Sequence, residues 1–136
     1  MSAVAVEGVW KFYGDFPALR DVNLRAAEGD CLALIGRNGA GKTTLLRTIG
    51  GFSRPGRGTV KLFGHNPRDV GTRRRLGFLG HGIALYDELS ALENLTLFGR
   101  LYGLPDPRAT ALEWLERTGL ARVKDGLVRE FSRGMR

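Results

Sequence analysis

The residues with the clearest chemical capacity lie between Leu32 and Thr44. There Leu-Ala-Leu-Ile-Gly-Arg-Asn-Gly-Ala-Gly-Lys-Thr-Thr passes from an apolar run through a glycine-rich loop into Lys-Thr-Thr. Gly36, four residues, and then Gly41-Lys42-Thr43 fit the spacing G-x-x-x-x-G-K-[ST], a loop that cradles phosphate groups. Glycine at 36, 39 and 41 frees the backbone to turn successive N–H groups inward around an anion. A helix expected over Lys42–Ile49 would add its unpaired N-terminal N–H groups and its dipole at the same point. Lys42 would bring a full charge to the β and γ phosphates of a nucleotide, and Thr43 would offer its hydroxyl to Mg²⁺. The expected cradle is Gly36, Arg37, Asn38, Gly39, Ala40, Gly41, Lys42, Thr43 and Thr44.

A second stretch has acidic chemistry. Ile83-Ala84-Leu85-Tyr86-Asp87-Glu88 places two carboxylates after four mostly apolar residues, the form of a strand that presents acids to a phosphate-bound metal ion. Read so, the chain would be a self-contained phosphoryl-transfer enzyme, a kinase or switch using Asp87 or Glu88. Against that reading, Gly80 and Gly82 interrupt the run. The two acids also stand just before Ser90, where they favour a helix dipole for structural reasons.

These groups must be held by regular elements. Val4 to Phe12 reads as a strand, with Val4, Val6 and Val9 on an apolar pattern and Tyr13-Gly14 as its turn. Val22, Leu24 and Ala26 alternate with polar neighbours, and Glu28-Gly29-Asp30 turns into a strand expected at Cys31–Ile35. Gly50-Gly51 ends the loop helix, Pro55-Gly56-Arg57-Gly58 turns into a strand over Thr59–Phe63, and Leu76–Leu79 is a further short strand candidate. The pattern then becomes helical. Ser90-x-x-Glu93 is a capping box opening a helix over Ala91–Tyr102, with Leu92, Leu95, Phe98 and Leu101 on one face. A second helix follows Asp106-Pro107 to about Thr118, with Ala109, Leu112 and Leu115 inward and Gly119 ending it. The fold class expected is α/β, without internal repeats.

Composition bounds the function. In 136 residues, 43% hydrophobic and 26% charged, the chain holds at most one domain of ordinary globular make-up. Its apolar runs are too short to cross a bilayer, and Glu7 with no basic segment before the apolar residues argues against a leader peptide. The lone Cys31 is expected to pack as a small hydrophobe, in keeping with a reducing compartment. A net charge of +7 raises the class of basic nucleic-acid binders. The excess is mostly scattered arginine, however, and the one dense cluster, Arg73-Arg74-Arg75, has no interleaved aromatics, so it reads as a solvated face.

Several stretches together are similar to one family. Lys11-Phe12-Tyr13-Gly14, Ala18-Leu19-Arg20-Asp21-Val22, Glu28-Gly29-Asp30 and the loop through Leu46 resemble the nucleotide-binding domain of ABC transporters. Gly50-Gly51-Phe52, Pro55-Gly56-x-Gly58 and Gly64 resemble the segment after that family's loop helix. Leu76 to His81 stands at its Q-loop, and Glu88 to Leu95 resembles the entrance to its helical subdomain. Phe131-Ser132-Arg133-Gly134-Met135 is similar to its signature motif, usually Leu-Ser-Gly-Gly-Gln, with Arg133 at the first glycine of the pair and Gly134 at the second. The resemblance spans almost the whole chain.

It implies a P-loop NTPase of ABC type, with ATP and Mg²⁺ as ligands and ATP hydrolysis driving export across a membrane. Residues 1 to about 80 would be the β-rich phosphate-loop core, and about 81 to 136 the Q-loop and helical subdomain. Tyr13 would stack on adenine. Ser132, Arg133 and Gly134 would meet the ATP held by a second nucleotide-binding domain, because two such domains close head to tail. His81 stands where the family has glutamine, and its ring nitrogen would face a bound water or the transporter subunit. The partners implied are that second domain and the transmembrane exporter subunits, without nucleic acid, at the inner face of the cell membrane. His81 and the Leu-Tyr-Asp-Glu-Leu-Ser-Ala-Leu-Glu-Asn-Leu run resemble the haem-exporter branch of cytochrome c biogenesis, and also lipid and multidrug exporters. The family's Walker B strand, D-loop and switch histidine follow its signature motif, and the sequence through Arg136 contains none of them. The chain by itself, as an incomplete domain, is therefore expected to bind nucleotide weakly without turnover, and to behave poorly in solution because apolar edges would be uncovered.

Overall fold

The structure, a computed structural model, describes residues 2–80, 84–132 and 134–136. The chain divides into two compact units, Met1–Phe78 and Leu79–Arg136.

The first unit is built on a hairpin. Strands β1 (Ser2–Tyr13) and β2 (Phe16–Ala27) pair antiparallel across the two-residue loop Gly14-Asp15, and β3 (Arg57–Leu62) pairs antiparallel with the other edge of β1, giving the order β2-β1-β3. Strict alternation would send Val6 and Val9 to opposite faces, yet both are fully buried. The register explains it: Val6 faces Leu24 and Val9 faces Val22, so β1 carries one extra residue between them. Gly8, at φ +57°, sits in this bulge, and its N–H donates to Asn23 Oδ1 at 2.8 Å. The bulge turns both valines onto the core with Leu19 and Leu45, against which Val4, Val22, Leu24, Leu34, Ile49 and Val60 pack. Each buried valine contributes about 1.5–3 kcal/mol of transfer free energy.

Helix α1 (Lys42–Ile49) lays Leu45 and Thr48 on this sheet. It ends as the Gly50-Gly51 pair requires. Gly51, at φ +74°, donates to Thr48 O and Phe52 donates to Arg47 O, the two crossed bonds of a Schellman stop. A short helix α2 (Val70–Arg73) follows β3, and the Arg75 guanidinium lies 3.6 Å from the centre of the Phe63 ring.

Two expected strands are not formed. Residues 31–37 pair with no strand among the described residues, and Ile35 is 93% exposed. Cys31 is likewise exposed and not packed, because it begins this unpaired run. Leu76–Leu79 is irregular as well, with Phe78 turned onto Phe52 at 4.7 Å and Leu79 exposed. Both segments have the apolar run of a strand, but a strand exists only where a neighbour takes up its N–H and C=O groups.

The second unit packs α3 (Ala91–Leu101) on α4 (Pro107–Arg117), followed by 3₁₀ turns at Ala121–Val123 and Val128–Glu130. Its core is Ala91, Leu92, Ala111 and Leu115, covered by Leu112, Leu120 and Phe131. The helix faces differ from the expected ones. On α3 the buried residues are Ala91, Leu92, Asn94 and Gly99, while Leu95 and Leu101 are exposed; on α4, Ala111 replaces the exposed Ala109. Small residues decide this, because Gly99 lets α3 approach so closely that a Cβ there would sit 3.0 Å from Pro107 Cβ. No helix among the described residues is long and apolar enough to cross a membrane.

The start of α3 is completely paired. Ser90 and Glu93 form the expected reciprocal box, with Ser90 N–H to Glu93 Oε2 at 2.8 Å and Glu93 N–H to Ser90 Oγ at 3.2 Å. Ala91 N–H donates to Gly126 O and Leu92 N–H to Lys124 O. One residue ties the preceding turn to the helix. Buried Asn94 accepts from Tyr86 N–H at 2.9 Å and donates to the carbonyls of Tyr86, Leu89 and Ser90.

Asn94→Ala removes all of these bonds and leaves Tyr86 N–H without its acceptor, so it should destabilise the second unit by about 2 kcal/mol or more. A urea midpoint equal to that of the parent chain would refute this role. The bonds from Ser90 N–H and from its hydroxyl hold the Glu93 carboxyl below its ordinary pKa. A lowered carboxylate stabilises above its unfolded value and loses that contribution as pH falls through the folded one. The parent should therefore lose stability relative to Glu93→Gln as the solution is acidified through the carboxylate range. Parallel pH profiles would contradict the linkage.

Candidate nucleotide-binding site

The nine residues of the expected cradle fall on one turn and the start of one helix. Gly39 and Gly41 adopt φ +83° and +88°, the left-handed region that the loop requires. Ala40 N–H donates to Arg37 O at 3.2 Å, closing a tight turn. Among the described residues, no acceptor is present for the N–H groups of Gly39, Gly41, Lys42, Thr43 or Thr44, and Gly41 gives no side-chain cap. The first intrahelical bond is Leu45 N–H to Gly41 O at 2.8 Å. Successive donors are thus left open at the positive end of a helix dipole.

Lys42 folds back over this ring, its Nζ donating to Gly36 O at 2.6 Å and Arg37 O at 2.7 Å. The two carbonyls hold the ammonium at the mouth of the loop. At Gly36 a Cβ would make only ordinary contacts, 3.4 Å from Ala40 Cβ and 4.0 Å from Lys42 Cδ, so packing does not demand glycine there. Gly41 has a further reason to lack a side chain. A Cβ at this position would lie 2.6 Å from Ala18 O and 3.1 Å from Leu19 Cδ2, so β2 presses directly on the loop.

Thr43 is exposed at the second position of α1, and its hydroxyl makes no hydrogen bond among the described residues. The donor set fits a magnesium ion carried by phosphates, because Mg²⁺ takes few protein ligands and completes its shell with phosphate oxygens and water. No three His, Cys, Asp or Glu side chains converge among the described residues to hold a metal by themselves.

Tyr13 is the last residue of β1, 54% exposed, with Lys11 Nζ 5.6 Å from its ring centre. In the second unit, Ser132 and Gly134 are exposed in a turn whose carbonyl at Ser132 accepts from Met135 and Arg136 N–H. Arg136 anchors the turn, with Nε to Phe131 O at 3.2 Å and a guanidinium nitrogen 3.2 Å from Asp87 Oδ1. That ion pair engages Asp87 within its own unit. Residues 84–86 are irregular and Asp87-Glu88 form a turn, so no strand presents these acids to a metal ion. His81 and Arg133 lie outside the described residues. Motif spacing alone does not single out Asn94 or Phe16; the signal for Phe16 is the two-residue turn Tyr13-Gly14-Asp15-Phe16, which makes its aromatic ends neighbours.

Comparison with known proteins settles the family. The sequence profile of the ABC transporter family matches residues 19–136. The chain belongs to this family. It is 43% identical over 139 residues to a daunorubicin resistance ATP-binding protein of Streptomyces coeruleorubidus, covering 99% of this chain and 44% of the relative. It is 36% identical over 135 residues to a Nod factor export ATP-binding protein of Cupriavidus metallidurans, covering 96% of this chain and 45% of the relative. A solved ATP-binding subunit of an ABC transporter superposes with a TM-score of 0.83 at 31% identity, over 98% of this chain and 57% of that one. The ABC-type P-loop fold is thereby established. The chain spans less than half the length of these curated relatives. They are drug-resistance and Nod factor export proteins, and the haem-exporter resemblance finds no support among them.

Gly41→Ala should destabilise the first unit by about 1–3 kcal/mol, because the new methyl meets the Ala18 carbonyl at a positive φ. It should also weaken phosphate binding at the loop. Unfolding and phosphate titrations indistinguishable from the parent would show that the loop does not need this approach.

Proposed function

We propose that the chain is the ATP-binding part of an ABC exporter's motor subunit, with Gly36 to Thr44 holding the triphosphate. The observation that carries this reading is the set of N–H groups at Gly39 and from Gly41 to Thr44, which have no acceptor among the described residues, closed by the Lys42 ammonium. The donors and the charge would neutralise the β and γ phosphates without reorganisation, which is the main service that a protein renders in phosphoryl transfer. Thr43 would hold Mg²⁺, which supplies charge neutralisation across those phosphates when bound. Tyr13, with an exposed ring at the end of β1, would stack on adenine.

In the whole protein, Ser132 and Gly134 would face the ATP of a second nucleotide-binding domain, and hydrolysis would drive transmembrane subunits from the inner face of the membrane. The first unit corresponds in this reading to the phosphate-loop core, and the second to the helical subdomain. Export as the direction of transport is supported by the names of relatives, resistance to daunorubicin in one and Nod factor export in another.

The test is titration of the chain with ATP and Mg²⁺, against Lys42→Ala. The variant should weaken binding at least tenfold, roughly the 1.4 kcal/mol minimum for a charge-assisted contact to phosphate. Equal affinities would overturn the assignment of the loop.

A further inference from the structure

The end of the β1–β2 hairpin carries a second exposed aromatic that the phosphate loop does not use. Tyr13 and Phe16 are register partners on either side of Gly14-Asp15. Residues directly opposite in an antiparallel pair project to the same face, with Cβ atoms about 5 Å apart. Both rings are largely in solvent, at 54% and 63% exposure, and neither stacks on another aromatic among the described residues. Trp10 and Phe12 behave differently. They stack on each other with ring centres 6.0 Å apart, and Phe12 lies against Gly56, where a Cβ would meet its Cδ2 at 3.3 Å. The hairpin thus commits one aromatic pair to packing and leaves the other open.

The position of the open pair gives it a use. β2 touches the phosphate loop at Ala18, whose carbonyl lies 2.6 Å from where a Cβ of Gly41 would be. Phe16 is two residues before Ala18, a step of roughly 6–7 Å along a strand. Pro17 at the intervening position stiffens that step. The extra residue in β2 between the pairs Lys11–Leu19 and Phe12–Pro17 is Ala18 itself, so the bulge that sets the direction of the hairpin end is also the point of contact with the loop. An anion held by the open N–H groups would have both rings one short step away, on the same hairpin that touches its cradle.

We propose that Phe16 is a second base-contacting residue, which together with Tyr13 forms a two-ring clip for the purine of a nucleoside triphosphate whose phosphates occupy the Gly36–Thr44 loop. The inference rests on the nucleotide reading above. A flat purine would shield both rings from water and gain stacking that no phosphate ligand can supply.

Calorimetric titration of the full chain with Mg²⁺ and either ATP or inorganic tripolyphosphate separates the two claims. Phe16→Ala should weaken ATP binding roughly tenfold and leave tripolyphosphate affinity unchanged, since only the base contact is removed. Phe16→Tyr, which restores a ring, should recover ATP affinity. Unchanged ATP affinity in Phe16→Ala, with both ligands lost in Lys42→Ala, overturns the clip and leaves the nucleotide reading standing. Equal weakening of both ligands in Phe16→Ala also overturns it, because Phe16 would then serve only to shape the loop. A parent chain that binds neither ligand removes the nucleotide reading and the clip with it.

Discussion

A helix begins with backbone N–H groups that have no partner in its own turn, and the starts of α1 and α3 meet that constraint in opposite ways. At α3 each donor is taken: Ser90 N–H by Glu93, Ala91 and Leu92 N–H by the carbonyls of Gly126 and Lys124, and Glu93 N–H by the Ser90 hydroxyl. At α1 the corresponding groups of Lys42, Thr43 and Thr44 have no acceptor among the described residues. The same sequence that closes one helix with Ser and Glu opens the other with glycine, which has no side chain to cap with. Open donors beside a lysine are left to water or to an anion, the arrangement by which helix starts take phosphate groups.

The scaffold around α1 follows from holding those donors still. Leu45 and Thr48 press the helix onto the sheet, and the crossed bonds at Gly51 and Phe52 stop it within eight residues. On the other side, Gly41 is pressed by the backbone of β2 at Ala18 and by the Leu19 side chain. Leu19 belongs to the same core as Leu45, so one buried cluster fixes the helix and the strand between which the loop is suspended. Removing a side chain at Gly41 is therefore a packing requirement as well as a conformational one.

Local features were legible in the sequence. The loop helix, its Gly-Gly stop, the capping box at Ser90 and the proline start of α4 all depend on residues within one turn, and each is found where its pattern placed it. The failures share a different cause. Cys31–Ile35 and Leu76–Leu79 have apolar runs, yet strand pairing is a property of two segments, and a run alone does not reveal whether it has a neighbour. The helix faces were misjudged because periodicity weighs large residues, whereas Gly99 and Ala111 decide how closely α3 and α4 approach. Asn94 was hidden for a related reason, since a polar residue on an apolar face becomes structural only when the turn it ties is present. The motif brought Gly36 to Thr43 together as one turn and one helix start, as the structure places them. It could not give the contact with Ala18, which joins residues 23 positions apart in the chain.

The Lys42 contacts bear on how such a loop works. With its ammonium bonded to the Gly36 and Arg37 carbonyls, the side chain lies over the mouth of the glycine turn. Those carbonyls carry only partial charge, so a phosphate oxygen can compete for the same ammonium, and among the described residues the N–H groups of Gly39 and of Gly41 to Thr44 have no internal partner to surrender. The Leu19–Leu45 core holds the strand and the helix on either side of the glycine turn, so in the nucleotide reading little ordering entropy would be left to lose on binding. Affinity for phosphate would then depend on residues that never touch it. That reading would place Leu19, Ala18 and the bulged β2 strand inside the physical definition of the site, although the phosphate-loop motif does not include them.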